Sequence, residues 1–167
     1  MTIAKDTSAT LEAIKICIGK TIAGISRVQY FFNETEDKDG FGDLEITFTD
    51  NSFLTLSGAG DDVSIRATNK RSDIAESLKV ADNNVCSWKR LDLNDDVKWK
   101  TMISQTLKSA EVKWNPTEKQ DEKLVACILK FDKDFISFYE TGWDSNKFFI
   151  NTAPSIVDEE TRSEKIK

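Results

Sequence analysis

The chain has 167 residues, a net charge of −6 and a sequence pI near 4.8, with 39% hydrophobic and 31% charged residues. That length supports one sizeable domain, or two small halves sharing a core, without disulfides or metal, and no apolar run approaches the ~20 residues of a membrane span. An acidic surface repels nucleic-acid phosphate and anionic membrane and favours a basic partner.

In chain order, Asp6, Thr7 and Ser8 offer N-cap oxygens, and Leu11, Ile14 and Ile18 follow at helical spacing, which predicts a short amphipathic helix over 9–17, stopped by Gly19. Residues 21–32 are dominated by apolar and β-branched side chains and read as a strand. Residues 33–42 form a polar, acidic loop with Glu34, Glu36, Asp37 and Asp39. Leu44, Ile46 and Phe48 then alternate with Glu45, Thr47 and Thr49, the period-two pattern of a half-buried strand. Asp50, Asn51 and Ser52 supply turn chemistry, 53–56 returns as a second strand, and Val63 with Ile65 begins a third. Asp73 and Glu76 have the spacing of a capping box and predict a short helix over 74–78. Residues 85–93 read as a strand with mixed faces, and Val97, Trp99, Met102 and Ile103 as a second brief helix.

The second half resembles the first. Residues 18–22 align with 103–107 at an offset of 85, residues 46–48 with 129–131 at 83, and 54–56 with 136–138 at 82. Each half alone leaves an apolar sheet face exposed, so pairing the halves is a structural need. The expected fold is α+β and β-rich: two related antiparallel β-meander halves with short helices, packed as a sandwich or half-barrel. One domain covers 1–151, with pseudo-repeats at about 9–67 and 97–151 joined by a connecting segment 68–96. Residues 152–167 read as a charged C-terminal tail, frayed or a solvated helix.

Cys17, Cys86 and Cys127 are odd in number and far apart, and Cys17 and Cys127 sit among apolar neighbours. Buried free thiols fit this better than a disulfide framework and imply a reducing compartment. With no signal-peptide core in residues 1–10, the expected location is the cytoplasm.

The chain has no histidine, which removes the usual general base, nucleophile arrangements that depend on it and most zinc sites. Gly19-Lys20-Thr21 lacks the earlier glycine of a phosphate loop, since that position is Ile14. With Gly40 as the sixth position of a calcium loop, the first and last ligands become Thr35 and Ile46, so no EF-hand is present. No catalytic residue, metal or cofactor is expected. Carboxylates at Asp61, Asp62, Asp132, Asp134 and Asp144 remain formally available for acid–base work. Trp88, Trp99, Trp114, Trp143, Tyr30 and Tyr139 are candidate stacking residues, although a nucleic-acid platform needs a basic groove that is not evident here.

The Gly-Lys-Thr-Ile opening at 19–22, the Phe-x-Asp-x-x-Phe-Leu-x-Leu hairpin at 48–56 with its second copy, and the acidic loops resemble the bacterial immunity proteins of contact-dependent inhibition and other polymorphic toxin systems. The resemblance spans 18–151 and carries over no residue positions. It implies a cytosolic, non-enzymatic antitoxin that occludes a cognate toxin with a basic surface, such as a nuclease, without touching nucleic acid or membrane. The residues expected to bind the partner are Glu34, Glu36, Asp37, Asp39, Asp61, Asp62, Trp143 and Asp144. The alternative is a small-ligand or carbohydrate-binding β-domain, without catalytic activity, that uses Trp114, Trp143 and nearby carboxylates.

Overall fold

A computed structural model of the chain describes residues 2–61, 63–115, 122–142, 145–156 and 161–167, with side chains from residue 7 onward. Helix α1 (Thr2–Lys15) precedes β1 (Ile22–Phe32), β2 (Thr35–Glu36), β3 (Asp43–Phe48), β4 (Phe53–Gly58), β5 (Ile65–Thr68), β6 (Leu78–Lys79) and β7 (Val85–Asp92). A 3-10 turn at Trp99–Met102 leads into β8 (Ser109–Asn115), β9 (Lys123–Lys130), β10 (Phe135–Glu140), β11 (Asn146–Ile150) and β12 (Arg162–Ile166). The strands form two antiparallel sheets, ordered β5-β4-β3-β1-β7-β6, with β2 added on β1, and β11-β10-β9-β8-β12. Neither sheet closes into a barrel; the arrangement is that of a β-sandwich.

Alternation places the apolar residues between the sheets. Ile22, Ile25, Leu44, Ile46, Leu54 and Leu56 of the first sheet share one buried core with Ala110, Val112, Cys127, Leu129, Ile136 and Phe138 of the second. Helix α1 packs on β5 and adds Ala13 and Ile14, with Cys17 just beyond its end. The helix begins earlier than the spacing of Leu11 and Ile14 predicts and ends two residues sooner, at Lys15. Burial holds the Cys17 and Cys127 thiols up at about 11 and about 12, so both behave as inert hydrophobes.

The repeat in the sequence is matched strand by strand. Ile25 pairs with Ile46 and Ala110 with Leu129; Ile46 pairs with Leu54 and Leu129 with Ile136. Each residue of the first unit maps onto its counterpart at the offsets of 85, 83 and 82 found in the sequence. Leu56–Ala67 and Phe138–Phe148 continue the series, with Ala67 and Phe148 at a further offset of 81. The units also reach further than the sequence reading has them. Strand β7, inside the expected connecting segment, pairs antiparallel with β1, and β12, inside the expected tail, pairs in the same way with β8.

Residues 161–167 are therefore neither frayed nor helical. Charge hid a strand whose ionic groups are neutralised across the sheet: Arg162 pairs with Glu122, lies 5.2 Å from the Trp114 ring, and Trp114 Nε1–H donates to Glu164 at 3.1 Å. The helix expected over 74–78 is also absent, since 71–77 is irregular and Leu78 lies in β6. The Ser72 backbone N–H and hydroxyl bind Glu45 and Asp43, so tertiary hydrogen bonds capture the segment where the capping pattern favours a helix.

The units meet at Thr21 and Thr106, which form an antiparallel bridge with their hydroxyls 2.9 Å apart. Gly19 N–H donates to Leu107 C=O and Ser104 N–H to Ile22 C=O; Leu107 N–H donates to Lys20 C=O and Ile22 N–H to Gln105 C=O. Exchanging each residue for its repeat counterpart turns each bond into the other of its pair, as a local two-fold axis requires. Gly19 and Ser104, counterparts in the repeat, both have positive φ, at 87° and 70°.

Candidate functional site

Side chains two apart on a strand share a face. With Leu44 and Ile46 turned to the core, Asp43 and Glu45 lie on the outer face of the first sheet. Cross-strand pairing aligns Leu78, Cys86 and Phe32 in one row of that face and Trp88 with Tyr30 in the next. Arg90, Val28 and Asp43 form a third row, and Ser26 with Glu45 a fourth. The face thus runs from apolar to acidic. Phe32, Ile74, Leu78 and Val80 are exposed at and near its apolar end.

The acidic end is held by a clasp. Glu45 is 0% exposed, yet it accepts hydrogen bonds from Arg90 Nε at 2.7 Å and Nη2 at 3.0 Å, from Ser26 Oγ at 2.8 Å and from Ser72 N–H at 2.8 Å. Burial opposes its charge, but the bonds from Arg90, Ser26 and Ser72 outweigh burial and hold its carboxyl below the usual range. Arg90 Nη2 also donates to Ser72 C=O at 2.7 Å, and Thr55 Oγ1 donates to Lys70 C=O at 2.7 Å. Residues 70–72 are thereby strapped across the outer face.

Beside this strap lies a cleft of about 300 Å³, lined by Gln29, Tyr30, Asp37, Gly42, Asp43, Asp73 and Trp88 among others. It opens where β3 has stopped pairing with β1, at Val28–Asp43, and β2 has not yet begun, at Phe31–Glu36. Gly42 makes the gap possible: its φ is +74°, and a Cβ there would stand 1.8 Å from Val28 O. Trp88 and Tyr30 place their ring centroids 5.5 Å apart at 55°. Gln29 is 1% exposed; its Nε2 donates to the carbonyls of Tyr30, Asp37 and Gly40, while its Oε1 is buried without a hydrogen-bond partner. Burial pushes the Asp43 carboxyl up, and the hydrogen bond from Ser72 and the field of Arg66 only partly offset this.

Of the residues expected to bind a partner, Asp37 alone lines this cleft. Glu34 is paired with Lys89 and Glu36 with Arg27, so both charges are already neutralised. Asp39 is exposed, and its N–H donates to Asp37 Oδ1 at 3.0 Å. Asp61 accepts from Ser64 N–H, Ser64 Oγ, Val63 N–H and Lys123, which overcome the effect of burial and bring its carboxyl down to about 2. It fixes its own turn. Asp62, Trp143 and Asp144 lie outside the described residues. The structure thus does not gather the expected carboxylates into one site.

Sequence reading missed Asp43, Asp73 and Gln29 as site residues. A signal existed for Asp43, because the alternation that turns Leu44 inward turns it outward beside Glu45. Asp73 was absorbed into a capping box, and Trp88 with Tyr30 appeared only among unplaced aromatics.

Other hollows are less suited to a charged ligand. One of about 350 Å³ is lined by Arg27, Phe41, Trp99, Phe148 and Phe149, but Arg27 is paired with Glu36 and lies over Phe41. Another, of about 210 Å³, has Asp61 engaged with Lys123. Asp132 and Asp134 are tied to Thr106, Lys108, Gln105 and Asn151 in their turn. Among the described residues, no group of three or more Cys, Asp or Glu side chains is placed to hold a metal ion, and no helix is long and apolar enough to cross a membrane.

The chain matches no protein-family model, no curated protein and no solved structure.

Proposed function

We propose that this is a non-catalytic protein-binding domain that neutralises a basic partner, as bacterial immunity proteins neutralise a cognate toxin. The observation that carries the reading is the outer face of the first sheet, where exposed Phe32, Ile74, Leu78 and Val80 adjoin a cleft containing Asp37, Asp43 and Asp73. An interface of this kind combines apolar anchors that slow dissociation with carboxylates that steer a cationic surface into place. A net charge of −6 adds long-range attraction. Seated on a nuclease toxin, the face covers the Lys and Arg side chains that hold nucleic-acid phosphate, so inhibition is by occlusion in the cytoplasm.

Co-expression with the product of the adjacent gene, followed by affinity capture and a growth assay, tests this. A stoichiometric complex and rescued growth are expected. The absence of both a complex and rescue sinks the proposal. The second reading, a small-ligand or carbohydrate-binding β-domain, draws less support because Trp114 is buried at 7% exposure. A glycan and metabolite thermal-shift screen separates the two, since only a ligand-binding domain gains stability from a small molecule.

A further inference from the structure

The cleft beside the strap combines two features that meet nowhere else among the described residues. Its aromatic wall is Trp88 with Tyr30, side by side on adjacent strands. Its acidic side is Asp37, Asp43 and Asp73. Together they ask for one complement, a cation that can lie on an aromatic face while donating N–H groups to carboxylates.

Among the described residues no cation is ion-paired with Asp43, and Arg66 reaches it only through its field. Arg90 is held by Glu45 and Ser72, Arg27 is paired with Glu36, and Lys89 is paired with Glu34 and lies over Phe31. Asp43 is left with a hydroxyl donor, Ser72 Oγ at 2.8 Å, where Glu45 two residues away has a guanidinium. A half-buried carboxylate held that way is a cost to the free protein, and a bound cation relieves it.

Resting on the reading of the outer face as a partner-binding surface, we infer that the cleft receives an arginine side chain of the partner protein, its guanidinium against Trp88 and its N–H groups on Asp43. Guanidinium is favoured over ammonium for two reasons. It is planar and stacks on an aromatic face while presenting paired N–H donors to a carboxylate. It is also more weakly hydrated, so a half-apolar cleft strips less from it. The volume of about 300 Å³ exceeds what an ammonium group needs. The chain shows the same stacking elsewhere, with Arg162 over Trp114 at 5.2 Å and Arg71 over Phe53 at 5.7 Å.

The test needs no partner protein. N-acetyl-arginine methylamide is titrated into the full chain while the indole N–H signal of Trp88, assigned with Trp88→Leu, is followed by NMR. A saturable shift is expected with a dissociation constant on the order of 1 mM, and the lysine analogue should bind at least about tenfold more weakly. Asp43→Asn should weaken the arginine probe at least about tenfold and raise the thermal midpoint of the free protein at neutral pH, which also shows that the variant folds. Glu122→Gln, in the second unit, should leave binding unchanged. The inference is overturned if wild type shows no saturable shift, if the lysine analogue binds as tightly, or if Asp43→Asn binds like wild type. Those outcomes do not depend on whether a toxin partner exists, so this inference and the proposed function can fail separately.

Discussion

The two sheets share strand order, pairing register and a crossing segment on the outer face, yet they fasten that segment in different ways. In the first unit Thr55 Oγ1 donates to Lys70 C=O, and in the second Ser137 Oγ donates to Thr152 C=O; both residue pairs are related by the offset of 82. Beyond that shared bond the chemistry diverges. The first unit has Glu45, Arg90 and Ser72, where the repeat places Ile128, Ser163 and a buried Pro154 in the second. On its outer face the second unit carries pairs such as Lys113–Glu111 and Lys130–Glu111 instead. One scaffold therefore appears in a plain form and in a form with a polar clasp and a cleft. The second unit keeps the same pairing register without such a clasp.

The sharpest way to break this contrast is Arg90→Ala. It leaves buried Glu45 with only the more distant guanidinium of Arg71, at 3.7 Å, and is expected to cost about 3 kcal/mol of stability in urea denaturation. Replacing both partners, Glu45→Leu with Arg90→Leu, makes the first face resemble the second. This pair should lose less than Arg90→Ala alone, because no unpaired charge remains; a larger loss from the double variant would show that the clasp is required for folding.

Smaller effects probe what the units share. Thr55→Val and Ser137→Ala each remove the conserved-geometry bond to the strap and should each cost about 1 kcal/mol. Unequal losses, read from paired denaturation curves, would show that the two crossings are not equivalent.

The smallest effect concerns acid. Bonds from Lys113 and Lys130 outweigh burial and bring Glu111 down to about 2 from an ordinary 4.5. Its folded value lies below its unfolded one, so its stabilisation is complete above the ordinary glutamate range and is lost as pH falls toward 2. Glu111→Gln should therefore flatten the fall in stability across that interval, by about 1 kcal/mol or less given that Lys130 is partly exposed. Asp43 has the opposite sign. Its folded value is raised, so its charge opposes folding at neutral pH and the penalty vanishes once pH drops below the unfolded aspartate value. Urea midpoints measured at neutral and acidic pH for both variants test the two signs together.

Much of the fold was legible because period-two alternation and turn residues are local signals. Leu44, Ile46 and Phe48 identified β3, Asp50-Asn51-Ser52 its turn, and the 85, 83 and 82 offsets the second unit. The helix expected at 74–78 and the free tail expected at 152–167 failed for a common reason. Asp73 and Glu76 form a capping pattern, and Arg162, Glu164 and Lys165 form a charge run, but distant partners decide both segments: Glu45 and Asp43 bind Ser72, and β8 pairs with β12. The candidate site was less legible still. Glu34, Glu36 and Asp61 look free along the chain, and folding brings Lys89, Arg27 and Lys123 to them. Asp43 looks like an ordinary strand-edge residue until the fold sets it beside a gap that only Gly42 allows.

The exchange of hydrogen bonds around Thr21 and Thr106 has a consequence for how the molecule is divided. A contact in which residue i meets j while the counterpart of j meets that of i is the geometry of an isologous interface, the kind that joins identical subunits of a two-fold dimer. Here both sides of it belong to one polypeptide. The segment between β7 and the 3-10 turn at Trp99–Met102 thus acts as a tether between two subunit-like halves, and covalent linkage frees each half to differ from the other. Under such linkage one face keeps its clasp while its counterpart does without one.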